Sequence, residues 1–237
     1  MNTVIFGDSH AAALKVGSDV FKCNEGWPQD QRITVTRLGS ADTMIRPYFI
    51  DQGEYAEITH QEQALCIKRL PFAETEASYD YYGFCGSLNA GRLWRKVNNW
   101  LNFSPFAGQA NLAPVSTGLL KQVILEEQRY NRQLIELLKR VGVKVFVIEA
   151  PKPYKHHPVL SEVNPDVIVY IDHFYKTVMK DWLVSQDIPI ISIPRQCYDS
   201  DGFMLDKFKV EQDGIHANKK FGVIMIKEIL KFLQAQN

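Results

Sequence analysis

The sequence predicts a three-layer α/β/α protein built on a parallel sheet of about five strands. Short apolar segments alternate with longer amphipathic ones along all 237 residues. The apolar segments are rich in β-branched and aromatic residues, as strands buried on both faces are. Strand and helix follow one another in turn, which favours right-handed crossovers and parallel pairing.

The candidate strands are residues 4–6, 33–38, 79–84, 143–149 and 188–193. A helix over 119–141 carries Leu120, Val123, Ile124, Leu134, Leu137, Leu138 and Val141 at roughly helical spacing, and Gly142 ends it. Asn164 before Pro165 has the form of an N-cap followed by a first-turn proline, opening a helix to about residue 184. The last helix places Phe221, Ile224, Met225, Ile229 and Phe232 on one side. Residues 45–78 and 91–117 break the alternation and read as insertions in a single domain spanning 1–237. The first insertion carries an extra strand or helix, and the second is rich in aromatics (Trp94, Trp100, Phe103, Phe106).

Composition narrows the function classes. Lys+Arg and Asp+Glu are 27 each, a zero formal net charge, whereas nucleic-acid binders usually carry a basic footprint. No apolar run approaches the length of a membrane span, and no basic stretch leads into a signal-like apolar one. Cys23, Cys66, Cys85 and Cys197 are widely spaced, which reads as free thiols in a reducing cytoplasm. His156-His157 is the nearest thing to a metal-ligand pair, but adjacent side chains rarely hold one ion, and the pair reads as a polar loop. No metal or cofactor is expected.

Two segments carry candidate chemistry. The first strand ends in Gly7-Asp8-Ser9-His10, and Ala11 starts a helix. Ser9 therefore stands at the carboxyl end of a parallel strand, where open α/β sheets bind ligands. The helix start adds unpaired N–H groups and a positive dipole end that favour a developing oxyanion. Taken alone, Ser9 or Asp8 serves equally well as an N-cap. The second segment is Asp213-Gly214-Ile215-His216, ahead of the last helix. A hydroxyl needs a base to become a nucleophile, and histidine suits that work near neutral pH. A carboxylate three residues earlier reaches the far ring nitrogen and fixes its orientation.

Together, Gly7-Asp8-Ser9 and Asp213/His216 resemble the SGNH (GDSL-like) hydrolase family, whose first and last blocks stand at these two ends of the chain. The resemblance extends to Pro151 after the fourth strand and to His216-Ala217-Asn218 leading into a helix that contains Gly222. It implies a flavodoxin-like arrangement of the three layers, with Ser9 as nucleophile, His216 as base and Asp213 as its orienting acid. The Gly-x-Ser-x-Gly elbow of α/β-hydrolases is absent. The resemblance also implies oxyanion donors beside the Ser9 N–H, from a glycine and an asparagine in the middle blocks. There the pattern departs from the family. Gly39 after the second strand is one stand-in; Gly86 and Asn89, in Gly83-Phe84-Cys85-Gly86-Ser87-Leu88-Asn89, are the others. Each glycine also reads as a plain turn residue. His10 is a candidate pocket residue and Cys85 a weak candidate thiol nucleophile. Arg92, Trp94 and Arg95 fit either an anion-binding face or a packed helix face. The expected reaction is hydrolysis of a small ester, such as an acetylated sugar, a lipid or a thioester. The alternatives are acyl transfer to a sugar hydroxyl and a non-catalytic binding module on the same fold.

Overall fold

The computed structural model describes all residues except 60–66, 74–77, 96–114, 162–163, 212, 214 and 237. Five strands form its main sheet: β1 (Asn2–Gly7), β2 (Arg32–Arg37), β6 (Tyr81–Cys85), β7 (Val145–Ile148) and β8 (Ile190–Ile191). All pair in parallel, in the order β2-β1-β6-β7-β8. Each overlaps a segment expected from sequence. The last is cut to two residues. Beyond Ile191, the Ile193 N–H donates to the Glu149 side chain at 3.3 Å instead of continuing a ladder. Pro194 then follows without an N–H and leads into a short 3₁₀ turn at Arg195–Cys197.

Side chains alternate across the sheet and so create two cores. Val4, Phe6, Tyr82, Phe84, Val145 and Val147 face one cluster. That cluster takes in helices α3 (Thr117–Glu127), α4 (Arg129–Arg140) and α5 (Pro165–Ser185). Ile5, Tyr81, Cys85, Phe146 and Ile148 face the other, with helices α1 (Ala11–Asn24) and α6 (Lys219–Gln234). The fold is thus the expected three-layer α/β/α sandwich.

Three elements differ from the sequence reading. The helix over 119–141 is two helices, α3 and α4, that meet at Gln128. Gln128 and Asn131 are buried and bonded to each other at 2.8 Å, and Tyr48 donates to Asn131 at 3.0 Å. Satisfying these buried amides interrupts the helix at its midpoint, where periodicity alone reads straight through. The first insertion forms a small antiparallel sheet of β3 (Phe49–Asp51), β4 (Ala56–Ile58) and β5 (Arg69–Leu70). Ala56, Ile58 and Leu70 cover the α3–α5 side of the core. Within the second insertion, α2 (Gly91–Arg95) is described, whereas Trp100, Phe103 and Phe106 lie outside the described residues, as does Cys66. The Asn164 cap is as read, with its Oδ1 accepting from the Asp166 N–H at 2.9 Å, and α5 runs one residue past 184.

Two glycines set how α1 and α6 cross. A Cβ on Gly17 would lie 2.2 Å from the Gly222 carbonyl carbon, and one on Gly222 would lie 1.9 Å from the Ala13 carbonyl oxygen. The helices therefore pack backbone against backbone. Both candidate chemical segments sit at the N-terminal ends of these two helices, so this contact brings them together. Among the described residues, no helix is long and apolar enough to cross a membrane.

Candidate active site

Gly7 is the last residue of β1, and a Cβ there would come within 1.6 Å of the Cys85 carbonyl oxygen. Only glycine fits so close to β6. The chain then turns. The Asp8 N–H donates to the Cys85 carbonyl at 2.8 Å, and the Asp8 Oδ1 accepts from the His10 N–H at 2.9 Å. Neither Asp8 nor Ser9 is the N-cap of α1: His10 holds that position, with no side-chain cap bond. Ser9 is left free to point its hydroxyl across the α1–α6 gap.

The hydroxyl meets His216. Ser9 Oγ and His216 Nε2 are 3.0 Å apart, although 207 residues separate them in sequence. On the other side of the ring, His216 Nδ1 lies 2.7 Å from Asp213 Oδ2. Asp213 Oδ1 also accepts the N–H groups of Ile215 and His216, each at 2.9 Å. Burial opposes charge on Asp213, but these two backbone donors and the His216 ring outweigh it and hold the carboxyl below its ordinary range. The loop carrying the pair is pinched at its neck. Lys209 and Ala217 form an antiparallel bridge, the Val210 N–H donates to the His216 carbonyl at 2.9 Å, and the Asn218 N–H to the Phe208 carbonyl at 2.7 Å. Gly214 lies outside the described residues.

A second arrangement supports the floor. Asp8 is buried, and its Oδ2 accepts from Asn89 Nδ2 at 2.6 Å. Asn89 Oδ1 in turn accepts the Gly91 N–H at 3.0 Å, opening α2. An amide nitrogen carries two hydrogens, so the Asp8 bond uses one of them. Gly86 lies among Phe84 and Met44 side chains. The Gly39 N–H donates at 3.3 Å to the Gly7 carbonyl, which already accepts the Leu38 N–H at 2.7 Å.

The remaining candidates take distinct places. Cys85 is buried in the sheet, and burial together with the nearby Asp8 carboxyl pushes its thiol well above the ordinary range, the opposite of what an attacking thiolate needs. His10 stands beside His216, ring centroids 5.4 Å apart. Burial pushes His10 below its ordinary range; Asp8 opposes this, while His216, Lys176 and Arg95 add to it. Trp94 is buried edge-on against His157, ring centroids 4.8 Å apart, so His157 belongs to the interior rather than to a polar loop. A tryptophan supplied by a distant helix covers it, which no local pattern reveals. Arg92 pairs with Asp42, while Arg95 and Trp94 line a small cavity with His10 and Asn89.

The chain also builds a buried charge cluster that the sequence reading misses. Glu149 follows β7 and meets Lys176 and Lys180 of α5, at 3.7 and 2.8 Å. Lys176 also bonds Asp172 at 3.1 Å and the Ala150 carbonyl at 3.1 Å. Burial opposes charge on Glu149, but the two lysines outweigh it and hold its carboxyl below the ordinary range. The signal is the i, i+4, i+8 spacing of Asp172, Lys176 and Lys180, which reads from sequence as an ordinary solvated face. Among the described residues, no group of His, Cys, Asp and Glu side chains has the form of a metal site.

The whole-chain arrangement is similar to solved structures. A protein assigned as an acylhydrolase from Bacteroides fragilis aligns over 99% of this chain and 87% of its own, with a TM-score of 0.54 and 11% identity. A GDSL-like lipase from Bacteroides thetaiotaomicron aligns over 99% and 88%, with a TM-score of 0.52 and 12% identity. A lipolytic protein of the G-D-S-L family from Desulfitobacterium hafniense aligns over 97% and 98%, with a TM-score of 0.52 and 9% identity. No family model and no curated protein matches the chain. The fold is that of these GDSL-like lipases and acylhydrolases, kept at 9–12% identity.

Proposed function

We propose that the protein is a serine ester hydrolase of the SGNH kind, cleaving a small ester through an acyl-enzyme. The observation that carries this reading is the unbroken line Ser9 Oγ–His216 Nε2–Asp213, with separations of 3.0 and 2.7 Å. His216 takes the Ser9 proton as Oγ attacks the carbonyl carbon. The carbon–oxygen double bond becomes an oxyanion, held by the Ser9 N–H, the free hydrogen of the Asn89 amide and the N–H of Gly86, or that of Gly39 on leaving the Gly7 carbonyl. On collapse, His216 returns the proton to the leaving alcohol, and an acyl–Ser9 ester remains. Water then attacks that ester with His216 again as base, releasing the acid and restoring Ser9. Asp213 orients the ring and stabilises the imidazolium formed in each half. An assembled nucleophile, base and orienting acid weigh against the binding-module alternative, which has no need of them.

The test is labelling with a fluorophosphonate probe followed by peptide mass mapping. The adduct is expected on Ser9, and neither Ser9→Ala nor His216→Ala is expected to label. An adduct on another residue, or equal labelling of Ser9→Ala, overturns the reading.

A further inference from the structure

The groove that opens on Ser9 is basic. It encloses about 1070 Å³ and is lined by Ser9 and His216 together with Arg37, Lys209, Lys219, Lys220, Glu211 and Asp213. Four cations thus face two carboxylates, in a chain whose formal net charge is zero. One of those carboxylates, Asp213, is committed to His216 at 2.7 Å. Lys209 has a partner in Asp206 at 3.7 Å, and Arg37 donates to the Gly39 carbonyl at 2.9 Å. Among the described residues, Lys219 and Lys220 form no ion pair. Both are exposed, and both occupy the first turn of α6, which carries no acidic residue. Cations there oppose the positive end of the helix dipole, so they weaken the helix they begin. The same placement adds their charge to that of the dipole at the rim of the groove, three and four residues past His216.

The direction of the chemistry says which half of the substrate meets them. The leaving oxygen must face His216 Nε2 to receive its proton. The alcohol half therefore leaves along the His216 side, past the start of α6. From this we propose, resting on the esterase reading above, that the substrate's alcohol half carries a negative charge, a carboxylate or phosphate, recognised by Lys219 and Lys220.

The experiment compares 4-acetoxybenzoate with its neutral methyl ester, methyl 4-acetoxybenzoate, at low ionic strength, in the wild type and in Lys219→Ala/Lys220→Ala. The ratio of kcat/KM for the two substrates is compared between proteins, so their intrinsic difference in reactivity cancels. The double variant is expected to lower the anionic-to-neutral ratio about 5- to 30-fold, mainly through KM, and to weaken its dependence on salt. Lys22→Ala/Lys121→Ala makes the same change in net charge outside the groove and is expected to leave the ratio at its wild-type value. An unchanged ratio in Lys219→Ala/Lys220→Ala, with the neutral ester still cleaved, overturns the anionic preference and leaves the esterase reading standing. An equal fall in both double variants also overturns it, because general charge is then the cause. Failure of the wild type to cleave either ester overturns the esterase reading and this proposal with it. A Gln pair in place of the Ala pair keeps the side-chain length and tests the charge if the Ala pair is poorly folded.

Discussion

Ser9 and His216 are joined through two long helices that touch at glycine, whereas the opposite wall of the site continues from the β1–β6 ladder and is tied at its far end by a carboxyl–amide bond. On the first side, Gly17 and Gly222 let α1 and α6 approach until backbone meets backbone, and Ser9 and His216 follow at 3.0 Å. On the second side, Gly83–Cys85 pair with β1 in the sheet, the Cys85 carbonyl accepts the Asp8 N–H at 2.8 Å, and the loop that follows is tied back by Asn89 to Asp8 at 2.6 Å. The first wall is specified by helix packing and tolerates little change in shape. The second adds a polar pairing, in which Asn89 satisfies the buried Asp8 carboxyl and, on the proposed reading, also donates to the oxyanion.

The largest effect is expected on the first wall. Ser9→Ala should abolish cleavage of an aryl acetate with the fold intact by circular dichroism. His216→Ala should lower kcat by at least about 1000-fold, and Asp213→Asn by somewhat less, because orientation matters less than the proton acceptor. Near-wild-type turnover in either would leave this wall without a chemical role.

Asn89→Ala probes the second wall. If the amide donates to the oxyanion, kcat should fall about 100- to 1000-fold with little change in KM. Because Asn89 also satisfies buried Asp8, the same variant should lose about 1–3 kcal/mol in chemical denaturation. Full turnover in a destabilised protein would make the 83–89 loop scaffold only.

Gly222→Val tests whether helix contact sets the first wall. A side chain there meets the Ala13 carbonyl at 1.9 Å, so α1 and α6 must separate. A loss of about 2–3 kcal/mol and a matching drop in probe labelling are expected. Unchanged melting temperature would break the link between glycine contact and Ser9–His216 geometry.

The smallest effect is expected at Gly39, where a new Cβ meets Thr43 only at an ordinary 3.5 Å. Gly39→Ala keeps the N–H and should cost less than about 1 kcal/mol. A large loss of kcat without loss of stability would show that the acyl group packs directly on that position and would favour Gly39 over Gly86 as donor.

The meeting of Ser9 with Asp213 and His216 was expected from two short segments read together, each ambiguous alone. Ser9 is a polar residue at a strand–helix junction, and Asp213 reaches the ring and two N–H groups within its own turn. The five-strand sheet was legible segment by segment, since burial on both faces leaves a run of apolar residues that needs no partner to be recognised. What only the tertiary structure decided rests on groups far apart in sequence. The break at Gln128 depends on Tyr48 reaching Asn131, 83 residues away. The role of Asn89 depends on Asp8, and the burial of His157 depends on Trp94. Lys176 and Glu149, 27 residues apart, form a buried ion pair that neither residue's own segment announces. A polar residue's task is fixed by its partner, and a partner distant in sequence leaves no periodic trace; an apolar residue's task is fixed by exclusion from water, which every strand and helix records in its own spacing.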